Sequence, residues 1–582
     1  MSHKRGLALL VAYLRPQWPR VVLLTFLLLG TVAVGVGNPQ ILRHFIDTAV
    51  AGGSLSVLVT SAALFLAIGL LNQGLVVLTA YVSSNLAWHT TNRMRIDLVK
   101  HCLHLDMSFH HSHTAGELIE RTDEDIATLT NLFSVFVLQI LVNLLLLVCV
   151  LVVLFLLEWR LGLAMTVYAL LVLFVLRSTR GAMTPAWVQA SQARAELQGF
   201  VGEHVAGVVD IRSNGAIPYI MRRFYEMRRI AFRKQWRAHR ISATVSGGTD
   251  ILLICGSIGA FILGTVLFQA GAISLGTVYL VVTYAQLLVQ PLQEIMSQID
   301  DLQQAAASLQ RIQELYDMRS TLRDGPVATL PHGPLAIAFD AVSFAYHPEV
   351  PVLEGITLRI EPGEVLGILG RTGSGKTTLT RLLFRLYDPT RGTIRLGGID
   401  LKDARIAALR QRIALVTQEV QLFHASVRDN LAFFERDIPD TAIIAALHAV
   451  GLAAWYAALP RGLDTVITAA GGAEMGLSAG EAQLLAFARV FLRQPSVVVL
   501  DEASSRLDPA TETSIEHALD ALFADRTGVI IAHRLATIRR ADKILILEGG
   551  RMCEYGTREE LLRDPTSRLN HLLRVGLEEV QL

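Results

Sequence analysis

The stretch EVLGILGRTGSGKTTLTRLLFRLY, residues 364–387, reads as a buried apolar strand, a glycine-rich loop and a helix in immediate succession. Gly370, Gly373 and Gly375 let the backbone curl so that amides from Arg371, Thr372 and Ser374 through Thr378 face phosphate oxygens. Lys376 reaches the β- and γ-phosphates of a triphosphate, and the Thr377 hydroxyl is suited to Mg²⁺. A glycine turn entering a helix beside an incidental lysine is the competing reading of this stretch alone. What lies downstream decides against it.

Two further pieces follow, LSAGEAQ at 477–483 and VVVLDE at 497–502. Asp501 ends an apolar strand, so its carboxylate projects at the strand's carboxyl edge, where it can hold Mg²⁺ through water. Glu502 beside it is placed to orient and deprotonate an attacking water, a role whose loss typically costs about 10²–10⁴ in rate. From about residue 335 strands and helices alternate, after a Pro/Gly-bearing connection, DGPVATLPHGP, at 324–334.

The rest of the chain is of another kind. With 582 residues, 52% of them hydrophobic, and a mean hydropathy of +0.44, the chain is too long for one core and too apolar for an ordinary soluble protein. Its net charge of +1 predicts no general attraction to nucleic acid. Cys102, Cys149, Cys255 and Cys553 show no CxxC spacing and read as small buried side chains rather than ligands or disulfides. The N-terminus, with basic residues but no small-residue cleavage site, reads as a retained amphipathic lead-in helix.

Stretches without Asp, Glu, Lys or Arg run 21–42, 48–92, 126–157, 161–176 and 251–293. About 20 apolar residues cross roughly 30 Å of hydrocarbon, so the last run holds two crossings, with a turn at 269–276. Six membrane helices are expected. Basic residues gather before the first crossing and between 177 and 240, whereas the loops around 47–56 and 269–276 have none. Both termini and two long connections, about 93–125 and 177–250, therefore lie in the cytoplasm. Apolar periodicity persists through those connections, which read as helical extensions turning near 105–118 and 210–220.

The order of phosphate loop, serine-glycine signature and acidic strand end resembles that of an ABC-type ATPase. Nearly the whole chain is similar to an exporter-type ABC half-transporter. The expected fold is a membrane α-helical domain of six transmembrane helices with long cytoplasmic extensions, followed by an α/β P-loop ABC ATPase domain. Residues 1–320 would form the transmembrane domain, 321–334 a linker and 335–582 the nucleotide-binding domain. The resemblance implies that Tyr346 stacks on adenine, that Gln418 senses Mg²⁺ and the γ-phosphate, and that His533 contacts the γ-phosphate. It also implies that Asp508 lies in the loop crossing a dimer interface. Two such domains meet head to tail in this family, with Ser478 and Gly480 of one completing the phosphate site of the other, so a dimer is required.

The chain departs from the family's LSGGQ at Ala479 and Glu481, and added negative charge near a triphosphate weakens that composite site. The segment TAAGGAEMG, 468–476, also lacks the glutamate-arginine pattern of many exporters. Heterodimeric exporters of this family pair a chain of intact acidic motif and altered signature with one of the opposite kind, so the resemblance, with Glu502 intact, implies a heterodimer, a homodimer tolerating the change being the alternative. The resemblance implies ATP-driven export of a hydrophobic or amphipathic substrate (drug, lipid or peptide) across the inner cell membrane. A siderophore-type importer and an ATP-gated channel or regulator are the other readings.

Some polar residues stay open. Asn72, Gln73, Gln139 and Asn143 are candidates for a cavity or for hydrogen bonds between helices. Asp250 starts the fifth crossing among hydroxyl side chains and fits a wet cavity or the membrane edge. His110, His111 and His113 fit a docking turn better than a metal site.

Overall fold

In the computed structural model, which describes residues 11–131, 137–417, 420–468, 475–501, 509–532 and 538–573, the apolar first half is long helix throughout. Its elements are Trp18–Val50 (α1), Leu55–His104 (α2), Met107–Ser112 (α3), Ala115–Asn131 (α4), Val137–Leu157 (α5), Trp159–Ala206 (α6), Val208–Ser213 (α7), Ile217–Gln269 (α8) and Leu275–Asp317 (α9). Six helices among the described residues are long and apolar enough to cross a membrane. The stretches 93–104, 177–206 and 217–250 are continuous with α2, α6 and α8, as expected from sequence, whereas residues 132–136 between α4 and α5 lie outside the described residues. Short helices α3 and α7 occupy the two expected turns, and the 269–276 turn separates α8 from α9.

Contacts divide the chain into two units: residues 1–103 with 114–318, and residues 104–113 with 319–582. In the first, Val150, Leu154, Leu161, Val172, Ala260, Leu280 and Leu288 form a core shared by α5, α6, α8 and α9. Leu66, Leu70 and Phe174 point outward, as side chains facing lipid do. Gly256 allows α8 to approach α6, because a Cβ there would collide with the Tyr168 ring. Tyr284 joins α9 to α1, donating to Val36 O at 2.7 Å and accepting from Gln40 Nε2 at 3.0 Å. Asp250 is exposed. Among the described cysteines Cys102 is buried, but Cys255 and Cys553 are exposed, against the sequence expectation. Cys255 sits on the outer face of a membrane helix, where an apolar run does not imply burial in protein.

Among the described residues the second unit has thirteen strands: Ile337–Phe344 (β1), Leu353–Ile360 (β2), Val365–Gly370 (β3), Arg391–Leu396 (β4), Ile399–Asp400 (β5), Ile413–Val416 (β6), Ala425–Ser426 (β7), Val466–Thr468 (β8), Met475–Gly476 (β9), Val497–Asp501 (β10), Thr527–Ile531 (β11), Lys543–Glu548 (β12) and Arg551–Thr557 (β13). An antiparallel sheet runs β2-β1-β4-β5, and a six-stranded sheet runs β13-β12-β3-β11-β10-β6, parallel except at β13. Between their end residues its central strands β3, β11 and β10 are apolar, because both faces are covered. Val498 and Leu500 enter one core while Val497 and Val499 enter the other.

The helix after the phosphate loop, Lys376–Leu383 (α10), stops four residues short of the expected 387. Arg385 takes a left-handed backbone (φ 49°), and its buried guanidinium donates to Asp388, Ala404 O and Arg323 O. Those bonds draw the chain out of the helix. They also hold the 321–334 stretch on this unit, where Asp324 accepts from Ile406 N and Leu330 is buried.

Candidate functional site

The phosphate loop leaves β3 at its carboxyl end and enters α10 at Lys376. Gly373 (φ 81°) and Gly375 (φ 101°) lie in the left-handed region, which side chains with a Cβ rarely adopt. At Gly370 a Cβ would collide with Leu547 O and with Ser374 Oγ. Ser374 Oγ is itself buried without a hydrogen-bond partner. Lys376 Nζ folds back over the loop, donating to Gly370 O at 2.6 Å and Arg371 O at 3.1 Å. An orphaned hydroxyl, backbone that excludes Cβ atoms and a lysine lying across the loop together fit a phosphate group.

Sheet order assembles the rest. β11 lies between β3 and β10, with Ile531 paired to Ile368 on one side and to Asp501 on the other. β6 follows, Val416 paired with Leu500. Strands in a sheet lie about 4.8 Å apart, so the carboxyl ends of β3, β11, β10 and β6 form one edge roughly 15 Å long. That edge of a parallel sheet is where ligands bind. Asp501 ends β10 there. Glu502, His533 and Gln418 come one or two residues after β10, β11 and β6 in sequence; with Asp508 and residues 469–474 they lie outside the described residues.

Tyr346 follows β1 and is tied to the loop's helix, its hydroxyl 3.2 Å from Thr378 Oγ1 and accepting from Arg381 at 3.1 Å. Phe344 and Tyr387 meet its ring edge-on at 4.9 and 5.2 Å.

Ser478 is not joined to the phosphate loop. It caps the helix Ala479–Arg493 (α11), accepting from Glu481 N at 3.2 Å, while Glu481 Oε2 accepts from Ser478 N at 2.8 Å. This reciprocal cap puts the carboxylate of the altered signature against the serine that carries the signature. Gly480 is buried in the first turn of α11. Ser478-Ala-Gly-Glu481 is itself a readable S-x-x-E capping sequence, and that signal could have predicted the arrangement.

Two other groups have no sequence signal. Buried Arg489 on α11 donates to Asn430 O at 2.8 Å and Gln421 O at 3.0 Å, and stacks over Phe433, fixing the segment that follows β6. Burial, helped by nearby Arg493, lowers its pKa to about 10. Asp106 caps α3 and gathers donors from both parts of its unit: Phe109 N at 3.3 Å, the Ser108 hydroxyl, Thr321 N at 2.7 Å and Thr321 Oγ1 at 2.8 Å. Burial raises this carboxyl, but the four hydrogen bonds outweigh it and hold the pKa at about 2. His113 stacks on Phe109 at 4.5 Å and His111 lies 6.3 Å from the Tyr346 ring. Among the described residues no His, Cys, Asp and Glu cluster could hold a metal ion.

Residues 21–292 match the ABC transporter transmembrane region and 353–505 match the ABC transporter ATPase family. The chain is 30% identical over 558 residues to the uncharacterized ABC transporter ATP-binding protein YknV of Bacillus subtilis (strain 168), covering 95% of this chain and 92% of that one. The chain belongs to the ABC transporters. It is a fused, exporter-type half-transporter, six membrane helices ahead of a cytoplasmic ATPase domain that hydrolyses ATP to drive transport. It is also 31% identical over 563 residues to the ATP-dependent lipid A-core flippase of Burkholderia orbicola (strain AU 1054), covering 95% of this chain and 92% of the flippase. Its fold matches the structure of a bacterial Atm1-family ABC exporter with ATP bound, at a TM-score of 0.78 and 24% identity, over 95% of this chain and 96% of that one. ABC exporters work as dimers in a bilayer, so the half-transporter acts with a second half.

Proposed function

We propose that this half-transporter exports a hydrophobic or amphipathic substrate (drug, lipid or peptide) across the inner cell membrane by alternating access, as one half of a heterodimer. The observation that carries the reading is the fold of His104–His113, which packs as part of the ATPase unit although the chain on both sides of it belongs to the membrane unit. Any movement of the ATPase unit must therefore pull on α2 and α4 through the peptide chain itself. Residues 1–320, apart from the 104–113 turn that packs with the motor, act as the moving transmembrane domain, 321–334 as the linker and 335–582 as the motor. Similarity to a lipid A-core flippase supports a lipid-like amphiphile within the substrate class.

At the motor, Tyr346 stacks on adenine, the loop from Gly370 to Thr378 with Lys376 holds the phosphates, Gln418 and His533 flank the γ-phosphate, and Glu502 takes the proton of the attacking water. Thr377, Gln418 and Asp501 would hold Mg²⁺, which when bound neutralises charge on the phosphates. Ser478 and Gly480 complete the partner's site. The Glu481 carboxylate faces the same helix N-terminus that a γ-phosphate approaches, which slows that site and favours a partner with a standard signature.

The chain, purified alone and co-expressed with a second half-transporter, is to be assayed for ATP hydrolysis and for ATP-dependent uptake of amphiphiles into inside-out vesicles. Full hydrolysis by the chain alone would reject the heterodimer. Uptake that is equal with Lys376→Ala would reject ATP-driven export.

A further inference from the structure

Two cavities in the membrane unit meet at Gln286 of α9. One, about 510 Å³, lies between α1, α2, α5 and α9 and carries Thr31, Gly35, Asn72, Asn143, Thr283 and Leu287 on its walls. The other, about 540 Å³ and open along one side, lies between α8 and α9 and is apolar, lined by exposed Ile254, Ile258 and Phe261 with Leu253 and Val289, beside Ser257. Each is the size of a small-molecule site.

The polar cavity is rich in hydrogen-bond acceptors. Thr31 and Thr283 spend their hydroxyl protons on Leu27 O and Tyr279 O, at 2.9 and 3.0 Å, and turn only lone pairs outward. Asn72 Oδ1 is buried and has no hydrogen-bond partner. Asn143 commits one amide N–H to Glu294 at 2.6 Å. Two prolines add to this. Pro39 inside α1 and Pro291 inside α9 have no N–H, so the carbonyls four residues back, Gly35 O and Leu287 O, receive no helical hydrogen bond. Both carbonyls belong to residues on the cavity wall. Among the described residues no Lys, Arg or His lines it. Gln286 and Asn72 carry amide N–H groups too, yet acceptors outnumber donors, and in hydrocarbon each unmet acceptor seeks a donor.

We propose that the polar cavity is a cargo head-group site that takes an amphiphile whose head donates several hydrogen bonds, a primary amine in its ammonium form, with the alkyl chain in the apolar cavity past Gln286. The proposal rests on the export reading and names its substrate class. A primary ammonium offers three N–H donors, whereas a quaternary ammonium of the same charge offers none. Recognition is therefore by hydrogen bonding and not by charge alone.

The test uses the full chain with its partner half in nanodiscs, without nucleotide, and measures equilibrium binding of dodecylamine and of dodecyltrimethylammonium over empty nanodiscs. Dodecylamine is expected to bind about tenfold more tightly. Asn72→Leu and Thr283→Val should each weaken it about fivefold, and Thr283→Ser should restore it. Equal binding of the two probes to the wild type, which needs no variant, overturns the proposal. So does a preference that survives both Asn72→Leu and Thr283→Val. Because binding is read without ATP, a preference without ATP-driven uptake would sink the export reading alone, and uptake of other amphiphiles without the preference would sink this site alone.

Discussion

Replacing Asp106 with alanine removes in one step the acceptor shared by Phe109 N, the Ser108 hydroxyl and both donors of Thr321. The carboxyl sits at about 2 against an ordinary 3.8, a gap that corresponds to about 2.5 kcal/mol favouring the ionised, hydrogen-bonded form. Asp106 is only 9% exposed, so solvent screening reduces this little. Loss of an N-cap adds about 1 kcal/mol, part of which the same hydrogen bonds already contain. A loosening of about 2 kcal/mol raises local opening roughly 30-fold. Hydrogen exchange followed by mass spectrometry would read this at 104–113 and 319–322, with the β3 and β10 peptides unchanged. Asp106→Asn keeps an acceptor but not the charge and should raise exchange only about fivefold.

The pH dependence has a definite sign. A lowered folded pKa means the stabilisation is complete above the carboxyl's ordinary value, near 4, and disappears as pH falls through about 2. Protection of the turn, corrected for intrinsic exchange, should thus be flat from pH 5 to 8. Exchange within twofold of wild type in Asp106→Ala, or protection that titrates near pH 6, would refute the reasoning. The same variant should lower transport per ATP hydrolysed, because the turn is the peptide link between the ATPase unit and helices α2 and α4.

Lys376→Ala should reduce ATP hydrolysis by about 10²–10³, measured as steady-state phosphate release, since the amine lies across the loop backbone that receives phosphate. Glu481→Gln keeps the reciprocal cap with Ser478 but removes its charge, and should lower the ATP concentration for half-maximal hydrolysis about fivefold; an unchanged value would separate the carboxylate from the composite site. Gly256→Leu forces a side chain into the Tyr168 ring and should destabilise the membrane unit by about 1–3 kcal/mol, seen as a lower thermal midpoint in detergent.

The local parts of this molecule were legible from its residues. The crossings are runs of apolar side chains long enough, with the 269–276 turn and a continuation past Arg177, to meet the bilayer, and the phosphate loop, Asp501 and Ser478 sit in short contiguous motifs. The helix that ends at Leu383 and not at 387 was not legible, because Arg385 is turned by partners at 323 and 404. Arg489 gave no signal either, since its acceptors at 421 and 430 are about 60 residues away in sequence.

Sequence by itself determined the six crossings, their direction, and the kind of engine, because hydropathy, charge bias and phosphate-loop geometry are properties of neighbouring residues. Tertiary structure alone decided two things: that one carboxylate at 106 fastens a turn between two membrane-unit helices to residue 321, and that four helices turn their hydrogen-bond acceptors into one cavity. Each depends on directions in space between groups far apart along the chain. A pattern of neighbours carries no such directions.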